Sequence, residues 1–181
     1  MAWEVERKAR IPDPERVAAI LTQRYGSPLY SRKHDQYYLF PDDSGSRFRL
    51  RVVDTEPGEG VPGVVTWKSR TMEQGMEIND EQEFSVSCAT TFSDLVLRMG
   101  CTPLAIKKKD TRAWRLNHGL LAELSRVERL GWFLEIESVI QRREGVDEAK
   151  RLVDGVYQDL SIPPSDYEPQ SYLSMLAELG L

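Results

Sequence analysis

The chain is expected to fold as an α+β protein, with an antiparallel sheet curled into a closed barrel around a polar interior and amphipathic helices covering its outer faces. Three observations point there. Several short segments alternate between apolar and ionic residues, which puts the two kinds on opposite faces of a strand. The ionic faces are sorted by sign rather than mixed. Four further stretches carry the apolar period of a helix.

The elements follow in chain order. Glu4, Glu6 and Lys8 oppose Trp3 and Val5, a strand with an ionic face. Asp13 then reads as an N-cap, with Pro14 at the first helical position, Val17, Ile20 and Leu21 on one face and Gly26 as the stop. In Arg47-Phe48-Arg49-Leu50-Arg51-Val52 three arginines share one face. Asp54 to Gly63, rich in Pro, Gly and Glu, reads as a mobile hairpin loop. Lys68 and Arg70 oppose Val65 and Trp67, and Glu81 and Glu83 oppose Phe84 and Val86. Thr91 with Asp94 opens a short helix, roughly 92–99, that ends at Gly100. Glu135 and Glu137 oppose Leu134 and Ile136. Val146, Ala149, Leu152, Val153, Val156 and Leu160 form a third apolar helical face, and Tyr172, Met175, Leu176 and Leu179 a fourth after Pro169.

Size and composition bound the function. A chain of 181 residues suits one domain spanning 1–181, and 40% apolar residues with 9% aromatics exclude a disordered chain. No apolar run reaches the roughly 20 residues of a membrane span, and the charged N-terminus does not resemble a signal peptide. A soluble, cytoplasmic protein with no membrane partner is the expectation. With 24 basic and 29 acidic residues the net charge is −5, so no global field attracts nucleic acid and Lys107-Lys108-Lys109 alone does not make a nucleic-acid patch. Cys88 and Cys101 lack metal-ligand spacing and read as inert thiols, and His34 and His118 as solvated loop histidines. A homodimer is left open.

Sign-sorted strand faces have two readings. One is the wet side of a sheet packed on helices. The other is a shared interior, in which same-sign pairs are tolerable because each meets the opposite sign across the barrel. Clustered carboxylates are ligands for hard divalent cations such as Mg²⁺ or Mn²⁺, and Arg and Lys hold phosphate oxygens. Together they describe a site for a metal-bound polyphosphate, with a triphosphate-containing small molecule as the natural guest. Glu4, Glu6, Glu135 and Glu137 are the metal candidates, and Lys8, Arg47, Arg49, Lys68 and Arg70 the phosphate candidates. Arg51 lies at its strand end and is a weaker one. Asp35, Tyr37 and Tyr38 would shape a base or ring pocket if there is one.

The chain also resembles the CYTH superfamily of class IV adenylyl cyclases and thiamine triphosphatases. Glu4-Val5-Glu6-Arg7-Lys8 is similar to the family's E-x-E-x-K signature. The resemblance continues through Asp35-Gln36-Tyr37-Tyr38, the arginine strand, Thr66-Trp67-Lys68, Glu81-Gln82-Glu83, Lys107 to Trp114, Leu130 to Glu137 and Ser171-Tyr172. It implies an eight-stranded antiparallel tunnel barrel and an Mg- or Mn-dependent enzyme. Hydrolysis of inorganic, nucleoside or thiamine triphosphate is the leading expectation. Conversion of ATP to cyclic AMP and pyrophosphate is the alternative, and a non-catalytic polyphosphate or nucleotide binder a third.

The resemblance implies Lys8, Glu4 and Glu6 as catalytic residues, Lys107, Lys109 and Arg112 as further phosphate ligands, and Glu81 and Glu83 as further acidic tunnel residues. Lys8 would serve as a base only if burial lowers its pKa. Two features depart from the family. Lys109 and Arg112 are spaced one residue wider than usual, and Ser125 stands where an acidic metal ligand is common. Glu123, on the same strand face roughly 7 Å away, is expected to substitute for it.

Overall fold

The structure is a computed structural model that describes residues 2–42 and 44–180. Its strands are β1 (Ala2–Arg10), β2 (Leu29–Leu39), β3 (Arg47–Val53), β4 (Gly63–Glu73), β5 (Met76–Val86), β6 (Thr102–Arg115), β7 (Leu120–Val127) and β8 (Gly131–Ile140). Every neighbouring pair is antiparallel, and they close into a barrel in the order β1-β5-β4-β3-β2-β6-β7-β8. Closure follows from the alternation: all eight strands turn their charged or polar positions to one shared interior, so the apolar positions must be covered from outside.

Four helices provide that cover: α1 (Pro14–Tyr25), α2 (Ala89–Arg98), α3 (Val146–Asp159) and α4 (Tyr172–Glu178). The largest apolar cluster joins Val5, Ile78, Leu124, Leu134 and Ile136 of the barrel to Val17 and Leu21 of α1 and Val153 and Tyr157 of α3. A second joins Leu50, Val52 and Val65 to Ala89 and Val96 of α2. A third, Val127, Phe133, Tyr172 and Met175, seats α4. Burying such side chains contributes about 1.5–3 kcal/mol each, which offsets the cost of gathering charge inside.

Local signals explain the helix ends. Asp13 caps α1 by accepting the Arg16 N–H at 3.1 Å, and Gly26 ends it with φ 85°. α2 begins three residues before the expected start. Its N-cap is Cys88, because the Thr91 hydroxyl turns back to Cys88 Sγ at 3.1 Å instead of capping the next turn. The earlier start seats Ala89 over Gly63, where an added Cβ would come within 2.9 Å of Leu50 Cδ1.

Two further expectations need correction. His34 lies in β2, buried and 3.4 Å from Glu56, rather than in a solvated loop. Cys88 does have a helix-end setting: the hydroxyls of Thr90 and Thr91 and the backbone N–H groups of Thr91 and Gly60 lower its thiol to about 6. Among the described residues, no helix is long and apolar enough to cross a membrane.

Candidate active site

The barrel encloses a cavity of about 570 Å³. Its charges fall into two arcs of adjacent strands. Glu123 of β7, Glu135 and Glu137 of β8, Glu4 and Glu6 of β1, and Glu77, Glu81 and Glu83 of β5 form an acidic arc. Lys68 and Arg70 of β4, Arg47, Arg49 and Arg51 of β3, Lys33 of β2, and Lys107 and Lys109 of β6 form the basic arc facing it. Lys8 stands within the acidic arc and Asp35 within the basic one.

In the acidic arc, Glu4, Glu6 and Glu137 converge, each offering a carboxylate oxygen within 4.8 Å of the others. Register makes the meeting unavoidable, because Glu6 lies opposite Glu137 across the β1–β8 seam and opposite Glu77 across β1–β5. Burial alone would raise Glu4. However, Lys68 Nζ donates to it at 2.8 Å and Asn79 Nδ2 at 3.1 Å, and with a hydrogen bond from Glu81 these bring it down to about 2.

Among the described residues no cation bonds Glu6 or Glu137, and Lys68 offsets the other causes only in part. Burial, then Glu135, Glu77 and Glu4, push Glu6 well above the usual carboxylate range. Burial, then Glu4 and Glu123, take Glu137 to about 8, and burial with Glu4 takes Glu81 to about 7. An all-oxygen set of three converging carboxylates, two of them raised for want of a bonded cation, fits a hard divalent cation.

That set predicts an unusual pH profile. A carboxyl raised by folding contributes stability that is full below its unfolded value near 4.5 and is lost as pH rises through its folded value. In chelator, the melting temperature is therefore expected to fall between pH 6 and 9, as Glu81 and Glu137 ionise. Added Mg²⁺ or Mn²⁺ should restore more stability at pH 8.5 than at pH 6. Calorimetry checks this; a metal-free melting temperature that rises over that range would contradict it.

The basic arc is held ready by paired acids. Arg51 grips Asp35 with two donors, at 2.6 and 2.8 Å, and Lys107 Nζ lies 3.0 Å from the same carboxylate. Burial opposes ionisation of Asp35, but Lys107 and Arg51 hold it well below the usual range. Lys109 Nζ donates to Glu123 at 3.0 Å and Glu135 at 2.7 Å, and Lys33 also bonds Glu123. Against burial, Lys109 and Lys33 bring Glu123 to about 2. Arg49 donates to the Thr66 hydroxyl at 2.8 Å and lies 3.4 Å from Glu83.

At one end of the tunnel, Lys8 Nζ donates to the Gln170 carbonyl and Arg70 to the Pro169 carbonyl. Arg70 also bonds Glu77. Arg47 is exposed.

Most of the expected residues thus line one cavity, with two corrections. Arg112 is outside: it binds Glu15 at 2.8 and 2.9 Å and lies over Trp132. An odd separation from Lys107 and Lys109 puts it on the opposite strand face, and Thr111 takes the inward position. Tyr38 also faces outward, stacked on Phe48 and bonded to Ser93 at 2.6 Å, whereas Asp35 and Tyr37 face in.

Glu123 shares the inward face with Ser125 as expected, but its carboxylate engages Lys109 and Lys33, and the converging trio is Glu4, Glu6 and Glu137. Ser125 is fully buried and bonded to Thr111 at 2.9 Å. Ser125→Asp is therefore expected to destabilise the fold by about 3 kcal/mol, read by urea denaturation; an unchanged midpoint would show room and charge compensation there. Lys33, Glu77 and Tyr172 were not anticipated as lining residues. For Lys33 the available signal was its parity with Asp35 and Tyr37.

Comparison with known proteins matches residues 2–172 to the CYTH domain. No curated protein matches. Among solved structures, the PH1819 protein of Pyrococcus horikoshii OT3 superposes with a TM-score of 0.85 at 21% identity, covering 97% of this chain and 99% of that one. A conserved hypothetical protein of Pyrococcus furiosus gives 0.78 at 27% identity, covering 94% and 98%. HpAC1 of Hippeastrum, described as having a dominant triphosphatase activity, gives 0.70 at 17% identity, covering 100% and 97%.

Proposed function

The chain belongs to the CYTH family, and on that premise we propose that it is a metal-dependent phosphohydrolase acting on a triphosphate group held in the tunnel. The observation that carries this reading is the acidic arc facing the basic arc across one cavity, with three carboxylates converging on one side. Glu4, Glu6 and Glu137 would hold a cation of the magnesium or manganese type, which when bound neutralises phosphate charge and polarises the reacting phosphoryl group.

The chain's own residues do the rest. Arg49, Arg51, Lys68, Lys107 and Lys109 already sit in ion pairs inside the tunnel, so their positions are set before substrate arrives. A phosphate chain exchanges one set of anionic partners for another without large movement, which favours positioning and charge stabilisation. Arg47 and Arg70, nearer the tunnel ends, extend the basic surface. Lys8 donates to a carbonyl and lies 4.3 Å from the centre of the Tyr172 ring. These contacts hold it at the tunnel end beside the other basic side chains, which supports a role in phosphate binding.

Hydrolysis is favoured over cyclisation because two of the three residues that would shape an adenine pocket are engaged elsewhere, which leaves Tyr37 alone on the cavity wall. Asp35 is held by Arg51 and Lys107, and Tyr38 faces outward. ATP, supplied with Mg²⁺ or Mn²⁺, separates the readings. Orthophosphate release is expected; cyclic AMP with pyrophosphate, or tight binding without turnover, would overturn the assignment.

A further inference from the structure

One group in the tunnel has no role in the arrangement described so far. Tyr172, in the first turn of α4, is 7% exposed, and its hydroxyl is buried with no hydrogen-bond partner. Its ring is fixed edge-on by Phe133 at 5.1 Å. The ring also faces two ammonium groups, Lys8 Nζ at 4.3 Å and Lys107 Nζ at 4.7 Å from its centre. Glu135 is the neighbouring carboxylate, close enough to act on the phenol but without forming a well-aligned hydrogen bond to it, and Lys109 holds one of its oxygens at 2.7 Å.

Packing alone does not call for this hydroxyl. A buried hydroxyl without a partner costs about 1–3 kcal/mol, so phenylalanine would serve the Phe133 contact better. What would satisfy it is an acceptor drawn to the same place by two cations. A phosphate oxygen meets that description, since Lys8 and Lys107 attract the charge and the phenol supplies a donor between them.

Resting on the triphosphate reading above, we propose that the Tyr172 hydroxyl donates to a non-bridging oxygen of the bound phosphate chain, at a subsite formed with Lys8 and Lys107 at the end of the tunnel closed by residues 169–173. The backbone fits such a role. Lys8 donates to the carbonyl of Gln170, and Arg70 donates to that of Pro169 as well as to Glu77. The segment leading into α4 is therefore tied to the same cations that meet the substrate. Binding at Tyr172 couples occupancy of the tunnel to the seating of α4.

The test compares wild type with Tyr172→Phe, which keeps the ring and its cation contacts. Thermal unfolding without ligand, calorimetric affinity for inorganic triphosphate, and kcat and KM are measured. The phenylalanine protein is expected to unfold at the same or a higher temperature. It should bind triphosphate about 10-fold more weakly, with KM rising more than kcat falls. Equal affinity in the two proteins, or a lower unfolding temperature with affinity unchanged, would overturn the assignment of Tyr172 alone. Failure of wild type to bind triphosphate would instead remove the functional reading and this inference with it.

Discussion

Lys109→Met is expected to lower unfolding free energy by about 3–5 kcal/mol at pH 8, the range for removing one partner of a buried ion pair. Lys109 is the cation between Glu123 and Glu135, with 4% of its side chain exposed against 11% and 10% for theirs. Burial opposes its charge, but those two carboxylates hold its pKa above the usual lysine range. Without it, both carboxylates remain in a confined space with Lys33 as the remaining close cation on Glu123. For a chain of this size the loss corresponds to a melting temperature lower by on the order of 10 °C. The defect should shrink at pH 5.5, because carboxylates stripped of their cation take up protons more readily. Denaturation at both pH values checks this, and a loss below about 1 kcal/mol at pH 8 would mean that water in the tunnel replaces the ammonium.

The second large effect concerns the trio. Glu6→Gln and Glu137→Gln are each expected to raise the metal concentration for half-maximal activity by on the order of 10-fold or more, since an amide is a poorer ligand for a hard cation. In chelator at pH 8.5 the same variants should melt above wild type, because each removes a carboxylate whose ionisation the fold resists. Glu4→Gln should behave differently, because Glu4 is ionised and bonded to Lys68. It should weaken metal dependence and also destabilise the metal-free protein. Unchanged metal titrations in the Glu6 and Glu137 variants would take the cation away from this cluster.

Much of this arrangement was legible in the sequence, because strand parity and sign sorting are local properties. Glu4, Glu6 and Lys8 on one strand, and Arg47 and Arg49 on another, face inward because their apolar neighbours have to face out. Parity was harder to read where it was not visible. Arg32-Lys33-His34 is a run of consecutive basic types, so the inward Lys33 was missed, and Arg112 was placed inside by analogy although its register with Lys109 is odd.

Partnerships depend on which strands are neighbours, and local pattern does not contain that. Glu123 was correctly placed on the inward face, but its capture by Lys109 follows from the β6–β7 pairing. The convergence of Glu6 and Glu137 likewise follows from the β1–β8 seam that closes the barrel. At α2, the plausible Thr91 and Asp94 cap lost to a start at Ala89, where burial against Leu50 and Gly63 outweighs a local capping bond.

One tunnel is proposed to hold a cation on its acidic arc and a triphosphate on its basic arc, and to turn the latter over. Phosphorus NMR of inorganic triphosphate incubated with the protein, with Mg²⁺ or Mn²⁺ added or chelated, tests it most directly. The expected result is conversion to pyrophosphate and orthophosphate that appears with metal and stops with chelator. Triphosphate that stays intact at saturating metal, or hydrolysis that continues unchanged in chelator, would contradict it.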